Sequence, residues 1–284
     1  MKYNIFLAIF APSASSFMAL RFILLFMSIA MILLLLKPSD YRYGALIFLS
    51  VPILVFGIQG LSIESFRLPL FSGGIFLLLW DKSDEWSLRS FIRHLIAFAM
   101  ITAPHSLGLL LGLLTLCSLF IVNKSIRHSF FQILAFLFSI LVFTPQYIIN
   151  LVKFGTPVQD STPVLDSPVI AFYSDLRIRR ELDSTYGIFV NGALRPFTDF
   201  GLFGFIFLIG FVLAIIFLLK ERSNLREFQL QSISALIVFM FMALQVISAL
   251  LGYELLIKNV RYALSIFPCL LVIIAHELGK KQNV

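Results

Sequence analysis

The chain has 284 residues, 60% of them hydrophobic and 13% charged, with a mean hydropathy of +0.97. Soluble domains carry about 25% charged residues, so this composition excludes an ordinary soluble domain, and the lack of low-complexity tracts excludes disorder. A net charge of +7 in so apolar a chain speaks for Lys and Arg held on the cytoplasmic side of a membrane rather than for nucleic-acid binding.

The fold class that follows is all-α: a polytopic integral membrane protein with about nine transmembrane helices, each needing roughly 20 apolar residues, and one long external loop. Residues 1–284 form a single transmembrane domain on this reading. The opening "MKYNIFLAIFAPSASSF" imitates a signal peptide, but no small-x-small cleavage pattern follows. It is expected to stay as an interfacial or re-entrant piece. Candidate spans then follow at 17–36, 44–61, 68–80, 91–104, 106–122, 129–150, 200–219, 230–252 and 261–277. The fourth carries Arg93 and His94 near its start, where a long basic side chain snorkels to the surface.

Basic residues set the orientation. Alternate connectors hold Lys37, Arg42, Lys82, Arg89, Arg93, Lys124, Arg127, Lys220, Arg222, Arg226, Lys280 and Lys281, and the short ones between hold only Arg67, Lys258 and Arg261. The first set is cytoplasmic by the positive-inside rule. The N-terminus is then outside, the C-terminus inside, and the expected location is a bacterial inner (cytoplasmic) membrane. Cys117 and Cys269 both lie in apolar runs and suit core positions better than a disulfide or metal pair. The four histidines show no metal-ligand spacing, no cofactor is identified, and a divalent metal is left open.

The long connector, residues 152–199, falls outside. Within it "SDLRIRREL" has the pattern of a short amphipathic helix capped by Ser174 or Asp175. Arg177, Arg179 and Arg180 crowd its surface. They suit lipid headgroup phosphates or the phosphate of a lipid-linked substrate.

The segment "FTPQYIINLVKFGTPV" resembles a pattern of membrane glycosyltransferases of the GT-C superfamily, in which Pro, Asn and a Phe-Gly-(Asn)-Pro ending mark a helix leaving on the external face. The matching residues are Pro145, Gln146, Asn150, Phe154, Gly155 and Pro157, with Thr156 where Asn is more usual. "LSIESFRLPLFSGGIFLLLW" and "RSFIRHLIAFAMITAPHSLGLLLGLLTL" look like that family's central helices, and "NVRYALSIFPCLLVIIAHEL" like its last. The resemblance covers roughly residues 45–277. It implies a mannosyltransferase-like enzyme of the cell envelope that takes a sugar from a polyprenyl-phosphate carrier and delivers it to an external acceptor. The family's acidic first external loop has no counterpart, because the first acid is Asp40 in a cytoplasmic connector. The resemblance therefore implies a truncated or inactive member, or one whose missing loop is supplied by a membrane-protein partner.

Glu64 is the remaining candidate catalytic base, a carboxylate beside apolar walls; capping the next helix or pairing with Arg67 is the plainer role. Candidate substrate-binding residues are Asn150 and Lys153 at the helix exit, His105 after Pro104, Arg195 before span 200–219, and Lys258, Arg261 and Tyr262 before the last span. Guanidinium groups take phosphate in a two-pronged geometry; Arg261 also suits headgroup anchoring, and Arg195 a pair with Asp199. Gln245 is expected to hydrogen-bond between helices. The expected partners are membrane lipid and a lipid-linked sugar donor. Two other functions fit parts of the pattern: an O-antigen polymerase or ligase, resting on Arg177–Arg180, and a non-catalytic membrane partner or transporter. The topology is checked by reporter fusions: one after Asp160 is expected outside, and those after Lys124 and Arg222 in the cytoplasm. The opposite labelling inverts every site assignment.

Overall fold

The computed structural model describes residues 14–36, 44–51, 63–80, 87–102, 106–123, 126–143, 149, 152, 204–250 and 264–280. All regular structure among them is helical. The principal elements are α1 (Ala14–Leu35), α2 (Ile63–Leu79), α3 (Leu88–Thr102), α4 (Ser106–Asn123), α5 (Ile126–Phe143), α6 (Gly204–Lys220), α7 (Gln229–Leu250) and α8 (Phe267–Lys280). Residues 44–51 add a further helical stretch. By length and composition, Met18–Leu35 is the one described helix long and apolar enough to cross a membrane; shorter apolar helices include Phe66–Leu79, Gly108–Asn123 and Gly204–Lys220.

Local chemistry accounts for several helix ends. Ser87 caps α3 by accepting the backbone N–H of Ser90 at 3.1 Å. Lys220 closes α6 at the negative end of its dipole. Pro268 occupies the first turn of α8, where its missing N–H costs nothing. Pro69 lies within α2. The helix nevertheless begins a turn and a half earlier, because Phe66 packs with Leu20, Leu24 and Leu25 of α1.

Contacts pass from α1 to α2, to α3, to α4, to α7, to α8 and back to α1, closing a circuit; α5 packs on α3 and α4, and α6 on α7 and α8. Direction is legible in the register. Leu24 meets Phe66 and Met31 meets Gly73 at the same spacing, so α1 and α2 run parallel. Phe207 meets Phe267, Gly210 meets Leu270 and Phe217 meets His276, so α6 and α8 run parallel too. At the far end of that pair Phe228, in the turn leading into α7, closes on both Phe217 and His276. Phe91 and Phe98, two turns apart on α3, stack on Phe138 and Phe136 of α5. The α3 helix therefore crosses α5 obliquely.

One apolar core runs through the assembly, with Phe71, Phe98, Leu111, Phe207, Phe241 and Phe267 fully buried. Polar groups also turn inward. Ser28, Ser72, Thr115 and Ser118 are buried and donate to the carbonyls of Leu24, Leu68, Leu111 and Leu114 at 2.7–2.8 Å, each satisfying its hydroxyl within its own helix. Large apolar side chains turn outward instead: Phe22 and Phe26 on α1, Phe130 and Leu137 on α5, Phe205 and Ile209 on α6. Cys269 is buried but Cys117 faces outward, so only the first of the two expected core cysteines is one; both are free.

Glycine sets the α2–α3 separation. A Cβ on Gly74 meets Ile101 Cγ1 at 2.6 Å and the backbone oxygen of Ala97 at 2.8 Å, whereas one on Gly44 meets nothing within 4 Å. Gly74→Ala must push two backbones apart, a cost of about 1–3 kcal/mol for overpacking. Gly44→Ala gains helix propensity instead. Thermal unfolding of the purified protein in detergent is expected to show a lowered midpoint for the first and an unchanged or raised one for the second.

Candidate functional site

The end of the bundle where α1, α2 and α8 begin gathers the polar chemistry. Glu64 is the second residue of α2. The sequence placed it in a loop; the structure places its backbone in the first helical turn, because the Phe66 packing extends the helix past Pro69. One turn further on stands Arg67, with no exposed surface. Its Nη1 donates to Ser265 Oγ at 3.0 Å, across to the segment that opens α8. Ser265 is not its only partner, which suits a guanidinium carrying five N–H donors.

A buried guanidinium is an exacting group. It stays protonated at any accessible pH. Removing it from water costs several kcal/mol unless its donors find acceptors. Arg67 can be held there because Ser265, itself buried, is brought to it from 198 residues away. The α1–α2 register puts Arg21 level with Ile63 and Glu64. Its guanidinium leans toward Met18, with Nη1 3.9 Å from Sδ.

Several expected site residues lie outside the described residues: His105, Asn150, Lys153, Arg177, Arg179, Arg180, Arg195, Lys258, Arg261 and Tyr262. What the structure does fix is where the Arg261 stretch must come from. Ser265 follows Arg261 by four residues, which span at most about 14 Å of extended chain. The Arg67–Ser265 bond therefore keeps the Glu64 helix and the Arg261 stretch in one neighbourhood. Comparison with protein-family models, with characterised proteins and with solved structures finds no match.

Two residues of this cluster escaped the reading of the sequence. Arg67 entered only as a partner for Glu64, although an ionisable residue inside the apolar run Phe66–Phe71 is itself a signal. Arg21 gave no signal, since only the α1–α2 register brings it level with Glu64. A second polar region lies toward the other end of α3. His94 is buried, with Nδ1 2.7 Å from the Ser90 carbonyl, and Arg93 Nη2 donates to Ser90 Oγ at 3.3 Å. His94 thus turns into the bundle instead of out toward a surface. Gln132 of α5 is also buried. Among the described residues no group of three or more His, Cys, Asp or Glu is placed to hold a metal ion.

The Ser265 hydroxyl is open to test. Ser265→Ala leaves the buried guanidinium one acceptor short, a loss of about 1–3 kcal/mol. Ser265→Thr keeps the acceptor and is expected to hold most of the stability. Chemical or thermal unfolding of the two variants beside the unaltered protein checks this; equal losses would mean that packing, not the hydrogen bond, is what counts.

Proposed function

We propose that this chain is a multi-pass membrane protein that binds a polyprenyl-phosphate-linked sugar and transfers the sugar to an acceptor on the outer side of the membrane. The observation that carries the membrane reading is the inverted distribution of side chains. Phe22, Phe26, Phe130, Phe205 and Leu219 face outward, while Arg67, His94, Gln132 and a set of serines and threonines are buried. Soluble monomers rarely expose apolar patches on this scale, and lipid is the solvent in which the arrangement lowers the free energy. The parallel pairs α1–α2 and α6–α8 support several crossings, because each requires the chain to return to its starting side in between.

The transfer chemistry rests on the GT-C resemblance and on the grouping of Glu64 with Arg67 and the Arg261 stretch. Glu64 would accept the proton of the acceptor hydroxyl as it attacks the anomeric carbon. The bond to the carrier phosphate then breaks, and the departing phosphate carries the electron pair. Cationic side chains hold that phosphate, so much of the rate enhancement comes from positioning and charge neutralisation. The reading favours the outer side for this end of the bundle, because its short connectors carry few basic residues.

The experiment is sugar transfer from a polyprenyl-phosphate hexose to an acceptor, assayed in proteoliposomes. Glu64→Gln keeps the shape and removes the base, with an expected loss of about 10²–10⁴-fold in kcat. Arg261→Ala is expected to weaken donor binding by about tenfold or more, with Arg261→Lys restoring only part of it because the two-pronged geometry is gone. A Glu64→Gln variant as active as the unaltered protein would remove Glu64 as the base.

A further inference from the structure

The geometry points to an anion site at Arg67, built to take the phosphate head of a membrane lipid. This rests on the membrane reading of the chain but not on sugar transfer. Three observations carry it. The first is charge balance at one end of the bundle. Arg67 on α2 and Arg21 on α1 stand within about a turn of each other in level, and Arg261 is tied to the same place by the four-residue link to Ser265. Glu64 is the only acid in Ile63–Leu79, α1 has none, and Glu254 lies eleven residues before Ser265. Even with Glu64 and Arg67 fully paired, permanent positive charge remains in excess, and like charges gathered on a low-dielectric body repel unless an anion joins them.

The second observation is preorganisation. Arg67 has no exposed surface and its fork is oriented by Ser265 at 3.0 Å. A guanidinium fixed in this way has already lost the rotamer freedom that a flexible surface arginine gives up on binding. The third is the surroundings. The outer surface of α1 just beyond Arg21 is apolar, with Phe22, Ile23 and Phe26 exposed. An anion with a hydrocarbon tail matches both features at once: its phosphate against the arginines, its chain along α1. A free phosphate matches only the first.

The test uses the whole protein in detergent micelles or nanodiscs and measures binding directly. The probes are a polyprenyl phosphate, a phosphatidylglycerol and inorganic phosphate, with phosphatidylcholine as the zwitterionic reference. The unaltered protein is expected to retain the two anionic lipids over phosphatidylcholine and to bind inorganic phosphate at least tenfold more weakly. Retention of polyprenyl phosphate above phosphatidylglycerol assigns the site to a lipid carrier; equal retention assigns it to anionic headgroups in general. Arg67→Met is expected to lower anionic-lipid retention by about tenfold or more, the scale of a lost charge-assisted hydrogen bond. Arg21→Gln, in a half-exposed residue, is expected to give a smaller loss. Should Arg67→Met fail to fold, Arg67→Lys and Ser265→Ala take its place, each expected to weaken retention several-fold while the protein still elutes as a folded species. Unchanged lipid retention in the folded variants overturns the inference, as does binding of phosphatidylcholine equal to that of the anionic lipids. Sugar transfer plays no part in the readout, so a protein that binds lipid phosphate but transfers no sugar overturns only the transferase reading.

Discussion

A guanidinium that cannot lose its proton and has no exposed surface constrains everything around it. Arg67 must find acceptors inside the bundle, and one of them is Ser265, at the start of the last described helix. That bond crosses almost the length of the chain. It joins α2, in the first half, to the segment entering α8, and it lies where α1, α2 and α8 begin. Phe66 and Phe71 flank Arg67 along the helix, one packed on α1 and the other in the central core. The charge is therefore held by two apolar contacts and a hydroxyl, and the positions of Glu64 and Ser265 follow from it.

The rest of the bundle is assembled by means suited to helices whose outer surfaces are already apolar. Hydrophobic burial cannot distinguish an inward Phe from an outward one when the surroundings are hydrocarbon, so close packing and polar contacts must do so. Gly73 and Gly74 let α3 approach α2, and Gly210 admits Leu270 between α6 and α8. Inward hydroxyls bond their own helix backbone, which keeps them from competing for partners elsewhere. At the end opposite Arg67, Phe217, Phe228 and His276 lock the α6–α7 turn to the end of α8. The two ends differ in character: one is held by charge and hydroxyl, the other by ring edges.

Helix positions were largely legible from the order of residues. The expected spans 17–36, 106–122, 200–219 and 230–252 correspond to Ala14–Leu35, Ser106–Asn123, Gly204–Lys220 and Gln229–Leu250. Where sequence and structure part, a tertiary contact is the reason. The span expected from 68 begins at Ile63, because Phe66 finds a partner on α1 that hydropathy cannot see. The span expected at 91–104 is the 15-residue helix Leu88–Thr102, whose start is set by the Ser87 cap and whose tilt is set by two ring pairs with α5. His94 near its start is buried, because that tilt turns its side of α3 inward.

Composition and periodicity by themselves determined the helical class, since apolar runs of this length have one way to satisfy their backbone without water. They also determined that Glu64 and Arg261 belong to stretches flanking apolar helices. Which of those stretches meet was decided only by the tertiary structure. Arg21, Arg67 and Ser265 are separated by dozens to hundreds of residues, and no local pattern encodes a hydrogen bond between the second helix and the last. That pairing is selected because a buried charge is costly wherever it lacks acceptors, and only the packed arrangement of α1, α2 and α8 brings one of those acceptors within 3.0 Å.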